Sequence, residues 1–226
     1  MPERTLQDPG FEPGPRRDKV KMEKSDKEKE AVLLRTTLIF AMMVLAAALR
    51  LAPHPWNVTP VGAIALFSGA MVRDRRLAFL FPMLVMFATD AIIGFNKLSP
   101  LVYAGFLLSV LIGRAVVAAR FSASQAQSEP AAPAKKRLGT RIAVATFLGA
   151  LQFFLITNFG VWALLSSYPR TRAGLAACYL AGVPFFWNTL AGDAVYATLL
   201  FGGLFLAERL APRLRPSAVP DLQIRH

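Results

Sequence analysis

Two aspartates, Asp90 and Asp193, lie inside long apolar stretches of this sequence. Ionisable side chains are costly within a membrane, and by default they mark a functional site there. Two carboxylates suit either of two tasks, proton transfer in an intramembrane enzyme or anchoring of a bound small molecule. A third reading is structural, because Arg50 or Arg170 could neutralise both aspartates.

Other polar and aromatic side chains are predicted to lie at the same membrane level as the aspartates. Phe154, Asn158 and Trp162 are spaced four apart and share one helix face. Such a face combines apolar walls with a polar anchor, which is typical of a small-molecule pocket. We therefore predict a substrate-binding site near the outer surface with these members: Asp193, Asn158, Asp90, Trp162, Asn188, His54, Trp56, Asn57 and Arg170.

Several classes of chemistry have no support in the residue types. The chain has one cysteine, Cys178, and two histidines, which excludes an internal disulfide and a Cys or His metal cage. No metalloprotease motif, serine elbow or Walker loop is present. We expect no metal, no cofactor and no catalytic residues, and so a protein that is not an enzyme.

The composition indicates a membrane protein. Of the 226 residues, 54% are hydrophobic, and the mean hydropathy is +0.43. A helix needs about 20 apolar residues to cross a bilayer. Five stretches approach this length: 33–51, 77–96, 100–119, 142–165 and 186–208. Pro184 predicts a break before the last of these, with a short outer helix over 171–183.

A further apolar stretch, residues 58–72, is too short to cross alone. Thr59 and Pro60 predict a helix start, and a helix from Pro60 would be roughly 20 Å long. We expect the preceding loop, 52–59, to fold into the outer mouth of the bundle, although local thinning of the bilayer is an alternative. Small residues on this helix should allow close helix packing: Gly62, Ala65 and Gly69.

The positions of the basic residues predict the orientation. Lys and Arg concentrate in the loops at 73–76 and 120–141 and in the C-terminal tail. Because short cytoplasmic loops carry the excess of Lys and Arg, both termini are expected in the cytoplasm. The same placement explains the net charge of +12 without a nucleic-acid partner.

The predicted fold is an all-α, six-helix transmembrane bundle in a bacterial inner membrane, with an inserted outer loop between helices 1 and 2. Residues 1–31 hold eight Lys or Arg and eight Asp or Glu, and they are predicted to be a disordered charged tail. The six-span membrane domain covers 32–209 and includes a cytoplasmic linker at 120–140. Residues 210–226 form a cytoplasmic tail.

Four segments carry a family resemblance: 53-PHPWNVTPVGAIALFSGA-70, 157-TNFGVW-162, 168-YPRTRAGLAACYLAG-182 and 184-PFFWNTLAGDAVY-196. They resemble an uncharacterised family of small bacterial membrane proteins, which is similar to the substrate-binding S components of energy-coupling-factor (ECF) vitamin transporters. The resemblance implies a pocket near the outer surface, an inserted first loop, and association with an energy-coupling transmembrane subunit and two ATPases. Many S components dock that subunit through an Ala-x-x-x-Ala patch on the first span, and 41-AMMVLAAAL-49 has no clean match.

The leading hypothesis is therefore a membrane subunit that binds a small vitamin-like molecule for uptake, with substrate and lipid as partners. Two alternatives remain open at this point, an intramembrane enzyme that uses Asp90 and Asp193 and a bundle with only an assembly role. The absence of a nucleophile or metal set beside the aspartates favours the first hypothesis.

Overall fold

The computed structural model describes residues 15–51, 58–118 and 131–215, and all regular structure within them is helical. In chain order the helices are α1 (Pro15–Leu49), α2 (Val61–Met71), α3 (Arg75–Ile93), α4 (Ser99–Ile112), α5 (Ala131–Leu164) and α6 (Arg172–Leu210). A π-helical turn, Gly113–Ala118, continues α4, and a 3₁₀ turn, Pro212–Leu214, follows α6.

Five of these helices are long and apolar enough to cross a membrane: Ser25–Leu49, Arg75–Ile93, Ser99–Val117, Leu138–Leu164 and Arg172–Leu210. Their outward faces carry large apolar side chains in the open, such as Leu45, Ile92 and Leu180, which are 68%, 72% and 72% exposed. Apolar surface this extensive is stable against lipid and not against water. The chain is a multi-pass helical membrane protein.

Helix α2 is the centre of the bundle. It contacts each of the other five helices, and ten of its eleven residues are buried. At 1.5 Å per residue it is about 16 Å long, which is too short to cross a bilayer, as the sequence predicted. The long helices thus surround a short one that is shielded from lipid.

Glycines bring α2 and the α4 segment into backbone contact. A Cβ placed on Gly69 would lie 2.0 Å from the carbonyl oxygen of Val110, and one on Gly113 would lie 2.1 Å from that of Leu66. Both positions therefore exclude any side chain. The close packing predicted for Gly69 is confirmed.

Polar contacts define two ends of the bundle. At the first, the Arg35 end, Arg35 Nε donates to Glu208 Oε1 at 2.9 Å, and Arg114 donates to the carbonyl oxygens of Val72 and Arg73. At the second, the Arg50 end, the guanidinium of Arg50 meets Asp90. Successive helices run in opposite directions, so the end of one helix and the start of the next lie at the same end of the bundle.

Helix α6 corrects one prediction. The chain does not break at Pro184, because α6 runs without interruption from Arg172 to Leu210 with Pro184 inside it. A break within lipid would leave several backbone groups without partners, whereas a proline inside a membrane helix removes one hydrogen bond. Pro82 is accommodated in α3 in the same way.

The N-terminal segment also differs from the prediction. Residues 15–31 were expected to be disordered, and the structure places them in α1. Once the apolar part of α1 is helical, extending it costs little because nucleation is already complete. Glu23 and Lys27 form an exposed pair at 2.7 Å, and this hydrogen bond lowers the pKa of Glu23.

Other predicted boundaries fall partly outside the described residues. Of the predicted linker 120–140, residues 131–140 belong to α5, and 120–130 lie outside the described residues. Residues 1–14 and 216–226, which belong to the two predicted tails, also lie outside the described residues.

Candidate functional site

A cavity of about 140 Å³ lies among α2, α3, α4, α5 and α6, and Arg50 is one of its lining residues. Its polar lining comes from Arg50, Thr59, Ser109, Thr189 and Asp193. The remaining walls are apolar or glycine: Gly62, Met86, Val102, Phe106, Gly149 and Phe153. Apolar walls with a few converging polar groups are typical of a small-molecule site.

Asp193 is the buried carboxylate of this cavity. Its residue surface is 6% exposed, and its carboxylate packs directly on Gly62, where an added Cβ would lie 2.3 Å from Oδ1. The backbone N–H of Ala63 donates to the carboxylate. Because α2 begins at Val61, its first N–H groups have no partner within the helix, and Asp193 caps one of them, that of Ala63, from α6. The salt bridges formed by described residues do not include Asp193.

Asp90 is held in a separate polar cluster beside the cavity. Arg50 Nη2 donates to Asp90 Oδ1 at 2.6 Å, and the Tyr103 hydroxyl donates to Asp90 Oδ2 at 2.9 Å. Arg50 also donates to the sulfur of Met86. Both oxygens of Asp90 are therefore engaged, and Asp90 positions Arg50, which lines the cavity. The expectation that Arg50 could neutralise an aspartate is met at Asp90.

Gln152 donates to two residues that line the cavity, Ser109 and Gly149, and the sequence analysis did not identify it. Its Nε2 donates to the Gly105 carbonyl, to Ser109 Oγ and to the Gly149 carbonyl at 2.8 to 3.0 Å. Its Oε1 is buried and has no hydrogen-bond partner in the described part of the chain. Little polarity was expected in the inner halves of the spans. The available signal was the rule that a polar amide within a membrane helix must find a partner.

Asn158, by contrast, does not line the cavity. Its Nδ2 donates to the Phe154 carbonyl of its own helix at 2.9 Å, and its Oδ1 would lie 2.4 Å from a Cβ on Gly182. The Cys178 thiol donates to the backbone carbonyl oxygen of Asn158. Asn158 thus fits α5 closely against α6, and it is not among the residues that line this cavity with Asp193.

Trp162 and Arg170 form a third cluster at the connection between α5 and α6. Trp162 Nε1 donates to the Pro169 carbonyl at 2.9 Å, and the Arg170 guanidinium lies 5.8 Å from the centre of the indole ring. This is the geometry of a cation–π contact. Asn188, also predicted for the site, is exposed on α6 and is not among the residues that line the cavity.

The loop before α2 is described only at its end. The predicted site residues His54, Trp56 and Asn57 lie outside the described residues. Val58 and Thr59, which follow them, lie against α6: a Cβ on Gly192 would be 3.1 Å from Val58 Cα. Thr59 also lines the cavity. The end of the predicted inserted loop is therefore packed into the bundle.

Asp193 offers an acidic acceptor, the walls are apolar, and Arg50 is fixed by Asp90. Over residues 15–51, 58–118 and 131–215, no three His, Cys, Asp or Glu side chains are grouped so as to hold a metal ion.

Residues 30–214 match a family of unknown function, DUF6580. The chain belongs to the DUF6580 family. The matched range runs from α1 to the 3₁₀ turn after α6, so the cavity lies wholly inside the DUF6580 region. No curated protein and no solved structure matches the chain.

Proposed function

We propose that this DUF6580 protein is a membrane substrate-binding or transport protein, similar in layout to the S components of ECF transporters, for uptake of a small vitamin-like molecule. One observation carries the proposal: a largely apolar cavity inside a helical bundle contains a buried carboxylate outside the salt bridges of the described residues. A bundle with only an assembly role would have no need to keep such a space open.

In the proposed topology six helices alternate across a bacterial inner membrane, with both termini in the cytoplasm and the Arg50 end outside. Basic residues support this orientation, because the loop at 73–76, the end of α6 with Arg209 and the 3₁₀ turn with Arg213 belong to the Arg35 end. Lys and Arg favour the cytoplasmic side. The cavity would then face the outer surface, where a substrate for uptake arrives.

The volume of the cavity limits how the substrate enters. A cavity of about 140 Å³ holds a group about the size of benzene, whereas sites for larger ligands measure roughly 300 to 1,000 Å³. The cavity therefore takes one ring-sized part of a vitamin-like molecule. Binding of the whole molecule requires the bundle to open at the Arg50 end.

The geometry disfavours an intramembrane enzyme that uses the two aspartates as a pair. Both oxygens of Asp90 are engaged by Arg50 and Tyr103, so Asp90 is not available for proton transfer without breaking an ion pair. Asp193 lies against α2 instead. A partner for transport, as the resemblance implies, would be an energy-coupling transmembrane subunit with ATPases.

Native mass spectrometry of the purified protein in lipid nanodiscs tests the proposed function. We expect a small molecule to remain bound to the wild-type protein and to be lost from Asp193→Asn. The matched control is Thr198→Val on the same helix, because Thr198 is exposed and its hydroxyl donates to its own helix at Ala194. Identical spectra for the wild-type protein and Asp193→Asn would contradict the proposal.

A further inference from the structure

The charges and hydrogen-bonding groups around the cavity point to the chemistry of its ligand. We propose that the cavity binds a small organic cation, an amine or ammonium group on a ring-sized body, with Asp193 as its counter-charge. This inference rests on the proposed function and specifies the substrate class.

The first support is the charge balance. Arg50 and Asp90 form an ion pair with Arg50 15% and Asp90 7% exposed at the side chain, so their charges cancel locally. Asp193 adds a carboxylate that forms no salt bridge with any described residue. The described wall of the cavity therefore carries one excess negative charge when Asp193 is ionised. A buried charge without a counter-charge is costly, and a cationic ligand would supply one.

The second support is the balance of donors and acceptors. Two hydroxyl groups that line the cavity are used as donors within the protein: Thr189 donates to the Phe185 carbonyl, and Ser109 donates to the Gly105 carbonyl. The amide Nε2 of Gln152, which contacts the lining residue Ser109, donates to three acceptors. Gln152 Oε1 is buried without a partner in the described residues. The Asp193 carboxylate is thus the acidic acceptor of the cavity, and the Arg50 guanidinium that also lines it is engaged by Asp90 and Met86. An ammonium group, which only donates, fits this pattern, and a carboxylate or phosphate ligand does not.

The third support is the pair of aromatic side chains in the cavity wall. Phe106 and Phe153 line the cavity with their rings stacked at 4.9 Å. Aromatic rings attract cations through the negative charge of their faces, and this attraction grows when water is excluded. With a volume of about 140 Å³, the cavity accepts a single ring with a short charged arm.

Three probes of similar shape and different charge test the inference: benzylamine as the cation, benzyl alcohol as the neutral form and benzoate as the anion. Each is titrated into the full-length protein in nanodiscs, and the rise in melting temperature gives an apparent affinity. We expect benzylamine to bind roughly ten- to a hundredfold more tightly than benzyl alcohol, the range of a hydrogen bond to a charged group. Benzoate should bind least.

Asp193→Asn should remove the preference for benzylamine over benzyl alcohol, and Thr198→Val should keep it. If Asp193→Asn does not fold, the ranking of the three probes on the wild-type protein still tests whether the cavity prefers a cation. Equal binding of the three probes, or a preference for benzoate, would overturn the inference and leave the proposed function standing. Failure of all three probes to bind would overturn the binding function together with the inference.

Discussion

The carboxylate of Asp193 lies directly on the backbone of Gly62, so that a Cβ at Gly62 would sit 2.3 Å from Oδ1. This contact joins the longest helix, α6, to the first turn of the central helix α2. Gly62 leaves space for the carboxylate, and the carboxylate satisfies a backbone N–H that α2 cannot satisfy itself. The two residues also line the same cavity.

Gly62→Ala should therefore disturb both stability and binding. The new methyl group must displace Asp193 from the start of α2, and overpacking of this kind typically costs about 1–3 kcal/mol. Thermal unfolding in nanodiscs should show a lower melting temperature, and benzylamine should bind more weakly. Gly202→Ala on α6 is the matched control, because a Cβ there meets nothing within 4 Å. Equal melting temperatures for Gly62→Ala and Gly202→Ala would refute the role given to this contact.

The Arg50–Asp90 pair should behave as one energetic unit. Arg50→Gln or Asp90→Asn alone leaves a buried charge without its partner, a change that costs about 3–5 kcal/mol in buried pairs. The double variant should lose clearly less than the sum of the two single losses. Equilibrium unfolding of all four proteins gives the coupling, with Lys97→Gln at an exposed position as the control. Additive losses would show that the two side chains do not stabilise each other.

Gly113→Ala should prevent correct assembly. Its methyl group would lie 2.1 Å from the Leu66 carbonyl oxygen, and no side-chain movement can relieve a clash with backbone. The loss should belong to the exceptional class above about 4–5 kcal/mol. Size-exclusion chromatography should show aggregated or degraded Gly113→Ala and normal Gly139→Ala, because Gly139 faces open space. A monodisperse Gly113→Ala protein with an unchanged melting temperature would contradict the packing of α2 on α4.

The proposed orientation can be tested by cysteine labelling in whole cells. In a background of Cys178→Ala, which removes a buried thiol, single cysteines are placed at Lys136→Cys and Ser167→Cys. An impermeant maleimide should label position 167 and should label position 136 only after the cells are lysed. Labelling of position 136 in intact cells would exclude the topology with both ends in the cytoplasm.

The membrane helices could largely be predicted from the sequence, because the number of consecutive apolar residues is enough to identify a membrane-spanning helix. The short helix after Pro60 and the packing role of Gly69 followed from counting residues and from residue size. The helix break predicted at Pro184 is wrong, because in lipid a broken helix costs more free energy than one missing hydrogen bond.

Only some residues of the cavity could be predicted from the sequence. Asp193 stood out as an ionisable residue in an apolar run. Its partner, Gly62, carries no chemical signal, and the contact depends on how two distant helices cross. Asn158 shared the apparent depth of Asp193, but depth does not fix which side of α5 faces the cavity. Gln152 donates to Ser109 and Gly149, which line the cavity, whereas the predicted site comprised only polar groups at the outer level.

The burial of α2 has a consequence for how the protein is made. An apolar segment of eleven residues is too short to be recognised by itself as a membrane-spanning helix during insertion. Its carboxylate cap, Asp193, belongs to α6, which leaves the ribosome more than a hundred residues later. Until α6 has been synthesised and inserted, the backbone N–H of Ala63 in α2 lacks the carboxylate that accepts its hydrogen bond. The cavity is therefore completed at the final step of biogenesis, and a chain truncated before Asp193 would lack both the cap and the site.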